Sequence, residues 1–247
     1  MVAHTIPQAM SGSPFYRPAP LLNPFPYNRI VPGMAPDALG SPITAIPTGP
    51  GSTNPSIPAV VGDPIKRGSG TGFSFAELDG VNDALSVSTD PNSRAAATIM
   101  IVARLKSTAG FQTIFFNGPS GANRWDLTLF DAGPNRLRYV YSSSDTTLAT
   151  HPWIPDTDWH VFTVTRTAST VNIGVDLQFS PTLGITTDPS LSTIRVGQRR
   201  GSGAQSQAID IAEVIVFPTL AVSEFRVAEV KNLMAYYGLR WGDDVKP

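Results

Sequence analysis

The sequence predicts an all-β chain: an antiparallel β-sandwich of jelly-roll type with one C-terminal helix and a long, extended, proline-rich N-terminal arm. Three observations carry this. Ten short apolar runs follow one another between turn signals with no alternating helical pattern, one helical period stands near the C-terminus, and 14 of the 23 prolines fall at or before Pro64. Short strands at such spacing, without helices between them, build sandwiches rather than parallel sheets.

The arm, residues 1–65, comes first. Proline lacks the N–H that a helix or central strand needs and biases its predecessor toward extended backbone, so polyproline-like and turn segments are expected there. Before Asp63 its charged side chains, His4 apart, are Arg17, Arg29 and Asp37, yet it carries Phe15, Tyr16, Leu21, Leu22, Phe25, Tyr27 and Ile30. Solvated disordered segments are usually charge-rich and poor in aromatics, so these side chains predict a surface to sit on, and the seven are assigned to partner binding.

Residues 66–72, KRGSGTG, read as a Gly-rich hinge opening a folded unit over 73–247. The strand runs are Phe73–Leu78, Ala84–Val87, Thr98–Leu105, Phe111–Phe116, Trp125–Phe130, Arg136–Tyr141, Trp159–Arg166, Thr170–Asp176, Ser192–Gln198 and Ala208–Phe217. Turn signals such as DGVND, NGPSGAN, DAGPN and RRGSGAQ separate them. In Trp159–Arg166, Val161, Thr163 and Thr165 share one face and Phe162, Val164 and Arg166 the other, which predicts one core face and one partly wet face. The helix is expected over 223–238. Ser223 suits the N-cap, Gly238 the left-handed stop, and Val227, Val230, Leu233, Met234 and Tyr237 form an apolar stripe.

Composition narrows the function. A net charge of -1 with 15% charged residues gives no footprint for nucleic acid or an anionic membrane surface. Without Cys there is no disulfide framework, thiolate nucleophile or Zn(Cys) site. No basic region followed by an apolar run opens the chain and no stretch approaches about 18 consecutive apolar residues, so a soluble protein without a signal peptide is expected.

Three segments in order, FSFAELDGVNDALSV, DTDWHVFTVTRTASTVNIGVDLQ and IDIAEVIVFPTLAVSEFRVAEVKNLMAYYGL, resemble the laminin-G-like jelly rolls of the concanavalin A-like lectin/glucanase superfamily, of the kind found in phage structural proteins. The resemblance covers Phe73 to Leu239 and implies two curved antiparallel sheets with a concave side that binds glycans in some members. Retaining glucanases of that superfamily carry the strand pattern E-[hydrophobic]-D-[hydrophobic]-x-E, because retention needs a nucleophile and an acid/base about 5 Å apart. Here AIDIAE puts Ala208 at the first acidic position, so no enzyme is expected, and Asp210 and Glu213 read as a strand-edge, turn-satisfying pair.

His4, His151 and His160 show neither metal spacing nor a triad pattern; His160, after Trp159, is assigned to sandwich packing. No cofactor is expected. Ca²⁺, which such jelly rolls often hold, would draw on Asp79, Asp83, Asp156, Asp158 and Asp176, although turn capping accounts for all five. For a glycan, which needs aromatic platforms beside planar polar groups, the candidates are Trp153 in its loop, then Trp125, Arg124 and Asn123. The function expected is a structural phage virion protein, a capsid decoration or cement protein on the capsid surface. Its arm docks on the major capsid protein or other virion subunits in an oligomeric assembly, while the jelly roll is displayed outward. The alternative is a carbohydrate-binding module of a phage tail, adhesin or cell-surface protein.

Overall fold

The computed structural model describes residues 28–47, 49, 59–68, 73–88, 97–109, 112–117, 125–129, 137–141, 146–167, 169–185, 193–197, 207–218 and 223–239. Two antiparallel sheets face each other. The first runs β13 (Gln178–Phe179), β12 (Thr170–Val175), β11 (Trp159–Arg166), β6 (Ala97–Leu105), β16 (Ile209–Pro218), β4 (Ser74–Glu77) and β3 (Ile65–Gly68), with β1 (Asn28–Ile30) also on β16 and β14 (Leu183–Gly184) on β12. The second runs β10 (Thr146–His151), β9 (Leu137–Tyr141), β8 (Trp125–Leu129), β7 (Gln112–Asn117), β15 (Thr193–Val196), β5 (Ala84–Ser88) and β2 (Ala59–Val61). Helix α1 spans Ser223–Tyr237.

The space between the sheets is filled by alternate residues of both: Ile99, Ile101, Phe162, Val164, Ile209 and Ile211 from the first, Leu127, Leu129, Leu137, Tyr139, Ile194 and Val196 from the second. A second cluster lies on the other face of the first sheet, where Met100, Val102, Val161, Ile215 and Phe217 meet Val230, Leu233, Met234 and Tyr237 of α1. The β11 face that carries Val161, Thr163 and Thr165 is therefore dry at its centre, where Val161 and Thr163 are both 0% exposed, and only its end residues Trp159 and Thr165 are half-buried. Helix cover on one side and sheet cover on the other explain why β6 reads as a nearly continuous apolar run. The helix ends as Gly238 predicts, at φ 63°, with Leu239 N–H donating to Met234 O at 2.9 Å and both side chains buried in the same cluster. Its buried face is rotated slightly from the predicted stripe: Val227 is half-buried, whereas Arg226 and Glu229 are buried.

Proline density misleads about residues 28–68. Ile30, expected to dock on a partner, is 1% exposed, lies in β1 against Val214 and packs in the inter-sheet core with Ile43 and Ile46. Its apolar surface is satisfied within its own chain because Pro32 falls after the strand, at the start of a 3-10 turn (Pro32–Met34), and leaves the pairing residues free to donate. Likewise Lys66–Gly68, expected in the hinge, belong to β3, which pairs Ser74–Glu77. Phe15, Tyr16, Leu21, Leu22, Phe25 and Tyr27 lie outside the described residues.

Strand β16 changes neighbour partway. Asp210 and Ile211 pair with β4, the register slips between Ile211 and Glu213, and Val214–Val216 then pair with β1. The bulge puts Ala212 and Glu213 together on the helix side, and Glu213, 0% exposed, is held by Arg29 of β1 and by Tyr237 Oη of α1, which donates at 2.5 Å. Asp210 is bound by Arg104 at 2.7 Å. Neither acid is the strand-edge group expected, because β6 flanks β16 on one side and β4 and β1 on the other.

Candidate functional site

The chain passes between the sheets twice at one place. It leaves β2 in the second sheet and enters β3 in the first through Gly62–Pro64; it leaves β4 and enters β5 in the opposite direction through Leu78–Asp83. Asp83, 3% exposed, ties the two crossings together: Oδ1 accepts from Asp63 N at 2.8 Å and Oδ2 from Asp79 N at 3.0 Å. Burial raises the pKa of this carboxyl and outweighs the two amide donors, with Asp79 and Asp63 adding like charge. Gly62, at φ 73°, makes room for it, since a Cβ there would stand 2.3 Å from Asp83 Oδ1.

Between the crossings lies a cleft of about 550 Å³ lined by Asp63, Ile65, Glu77, Asp79, Val81, Asn82, Asp83 and Lys106. Asp79 Oδ1 accepts from Val81 N at 2.7 Å and Asn82 N at 3.3 Å, which folds the loop so that Val81 stands 65% exposed at the rim. Lys106 and Arg67 both bind Glu77; the Lys106 hydrogen bond is the main reason its pKa is lowered, against the opposing effect of burial. Lys106 also lies 3.7 Å from Asp210, whose pKa burial raises despite Arg104 and Lys106. The cleft thus offers carboxylate acceptors, an amide and an ammonium donor beside apolar patches from Val81 and Ile65. That mixture suits a polyhydroxylated ligand, whose hydroxyls need both acceptors and donors and whose C–H faces need an apolar wall. Asp79 and Asp83 stood out in the sequence as calcium candidates. Asp63, Asn82, Glu77 and Lys106 did not, because no spacing shows that two turns 20 residues apart abut.

The other expected ligands are arranged differently. Trp153 packs its edge against His160, with centroids 5.0 Å apart, and against Phe162 at 5.3 Å, so it covers the core as a partly buried lid. Trp125 begins β8, paired with Asn117 and Tyr141, while Asn123 and Arg124 lie outside the described residues. Asp156 accepts from Asp158 N at 2.8 Å, and Asp176, at φ 53°, from Val161 N at 2.9 Å. Among the described residues no group of three or more His, Cys, Asp or Glu is arranged to hold a metal ion.

His160, half-buried, lies between Asp176 and Asp156, each 2.7 Å away. Burial pulls its pKa down, but the hydrogen bonds and charges of the two carboxylates outweigh that, and the pKa stands above the ordinary 6.5. A raised folded-state value stabilises fully below the unfolded value and is lost as pH rises through the folded one. His160→Gln is therefore expected to cost ~1 kcal/mol near pH 5, with the difference closing toward pH 9; urea titrations across that range check it. A difference that widened toward alkaline pH would contradict the assignment.

No family model matches the sequence, and no curated protein matches it. Solved structures do. The receptor binding domain of botulinum neurotoxin C/D mosaic serotype is 10% identical, with a TM-score of 0.63 over 86% of this chain and 52% of that one. The binding domain of botulinum neurotoxin DC in complex with SialylT is 11% identical, with a TM-score of 0.61 over 84% and 51%. A structure reporting that cell entry of botulinum neurotoxin type C depends on interaction with two ganglioside molecules is 14% identical, with a TM-score of 0.58 over 79% and 50%. The chain thus spans about half the length of each, and the likeness is one of fold: a β-sandwich of jelly-roll type.

Proposed function

We propose that this chain is a non-catalytic carbohydrate-binding module whose ligand occupies the cleft between the two inter-sheet crossings. The observation that carries this reading is the cleft itself, with its mixed acceptors, donors and apolar rim on a lectin-like sandwich. The SialylT complex and the ganglioside dependence stated for two neurotoxins of this fold support the ligand class. The test is a glycan array with the full chain, followed by titration of the bound glycan. Asn82→Ala and Asp63→Ala are each expected to weaken binding about tenfold, the loss of roughly one ligand hydrogen bond. Trp153→Ala is expected to leave affinity unchanged. Loss of binding in Trp153→Ala alone would move the site to that loop, and an array with no bound glycan would overturn the reading.

A second reading follows from the aromatic segment from Phe15 to Tyr27: a laminin-G-like virion module that docks through those residues on the major capsid protein. Under it the chain binds no glycan on the array but co-sediments with the capsids of the phage that encodes it.

A further inference from the structure

Arg226, in the first turn of α1, is 9% exposed. Its guanidinium carbon lies 4.4 Å over the ring of Phe179 in the short strand β13. That ring rests on the bare backbone of β12: a Cβ on Gly174 would stand 2.5 Å from Phe179 Cδ1, so only glycine lets the phenyl lie this close. Guanidinium, phenyl and glycine backbone make a three-tier stack where the sheet and the helix meet.

Among the described residues nothing balances the charge in this stack. Arg226 Nε is buried without a hydrogen-bond partner, and no carboxylate pairs with the guanidinium. Two acids whose side chains are described, one in the turn before β13 and one on α1, have other partners. Asp176, in the β12–β13 turn, accepts from Val161 N and binds His160. Glu229, one turn further along α1, is 1% exposed and accepts from Asn232 Nδ2 at 3.1 Å. Burial lowers the pKa of Arg226, yet a guanidine stays protonated in proteins. Its place in the first turn also sets it beside the positive end of the helix, where an anion rather than a cation is favoured. A phenyl face attracts a cation but does not neutralise it.

We propose that Arg226 anchors an oxyanion-binding site where α1 meets β13, with Phe179 holding the guanidinium plane so that its free edge receives two oxygens of one group. The ligand class is a carboxylate, sulfate or phosphate group; the planar fork suits such groups, and the unbalanced charge supplies the attraction. The site is separate from the acidic cleft and holds whether or not that cleft binds a glycan.

The test uses the full chain and simple salts. The Arg226 Nε–H resonance is followed during titration with acetate, glucuronate, sulfate and phosphate at constant ionic strength, with chloride as control, and melting temperature is read in the same buffers. Sulfate and phosphate stabilise most proteins without a specific site, so the deciding quantity is the difference between wild type and Arg226→Met. The resonance is expected to shift and saturate with at least one oxyanion, and the oxyanion-specific rise in melting temperature to disappear in Arg226→Met. In Arg226→Lys, which keeps the charge and loses the fork, affinity is expected to fall about tenfold. Saturation with acetate and glucuronate assigns a carboxylate ligand; saturation with sulfate or phosphate assigns an ester of those acids. An unmoved resonance at tens of millimolar of every anion, or an equal rise in Arg226→Met, overturns the proposal. Should Arg226→Met fail to fold, the wild-type titration and Arg226→Lys decide.

Discussion

A chain beginning after Pro64 is expected to lose its cooperative thermal transition. Such a truncation treats the proline-rich quarter as an appendage. It removes β1 and β2 together with Ile30, Val31, Ile43 and Ile46, none more than 2% exposed. Emptying a single buried isoleucine site to alanine costs about 2–5 kcal/mol, and a domain's whole stability is about 5–15 kcal/mol. Losing three isoleucines therefore removes about 6–15 kcal/mol, as much as the whole stability of the fold. The truncation also strips Arg29 from Glu213 and opens the edge of β16 along Val214–Val216. Circular dichroism melts of the two chains check this. A truncated chain melting sharply within a few degrees of the full one would mean that the sandwich closes without β1.

The second large effect is expected from Arg29→Ala. Arg29 is 3% exposed and Glu213 0%, so the substitution leaves a carboxylate buried beneath α1 with only Tyr237 to satisfy it. Removing one member of a buried pair typically costs about 3–5 kcal/mol, which for a chain of this size lowers the melting temperature by on the order of 10 °C. The double variant Arg29→Met, Glu213→Gln removes both charges and keeps an acceptor for Tyr237 Oη. It is expected to recover more than half of the loss. Urea unfolding of the single and double variants measures the coupling. Additive losses would show that the pair does not act as a unit.

Local pattern foretold most of the sandwich. Strand β11 lies where the alternation of Trp159 to Arg166 puts it, and Gly238 marks the end of the helix. Both follow from periodicity and from backbone preferences that a few residues express on their own. What escaped was non-local. The prolines discourage strands in residues 28–68, yet β1, β2 and β3 fit between them, because a three- or four-residue strand needs its neighbour more than its own propensity. The acids of DGVND read as ordinary turn formers; that Asp83 reaches across to Asp63 depends on two sheets meeting at that corner. Arg226 sat beside an apolar stripe whose phase differed by one residue from the buried face, so its burial was not legible. For the same reason the cleft was visible only in part, through Asp79 and Asp83.

The pairing of Asn28–Ile30 with Val214–Val216 has a consequence for how the protein is made. Arg29 and Glu213 stand 184 positions apart, so β1 leaves the ribosome long before the strand it joins. At about 5–20 residues per second the wait is roughly 10–40 s. Through that interval Ile30, Ile43 and Ile46 have no β16 to cover them, and Arg29 has no counter-charge. The nascent chain is thus adhesive over Asn28 to Ile46, and chaperone occupancy there should fall as synthesis passes Pro218.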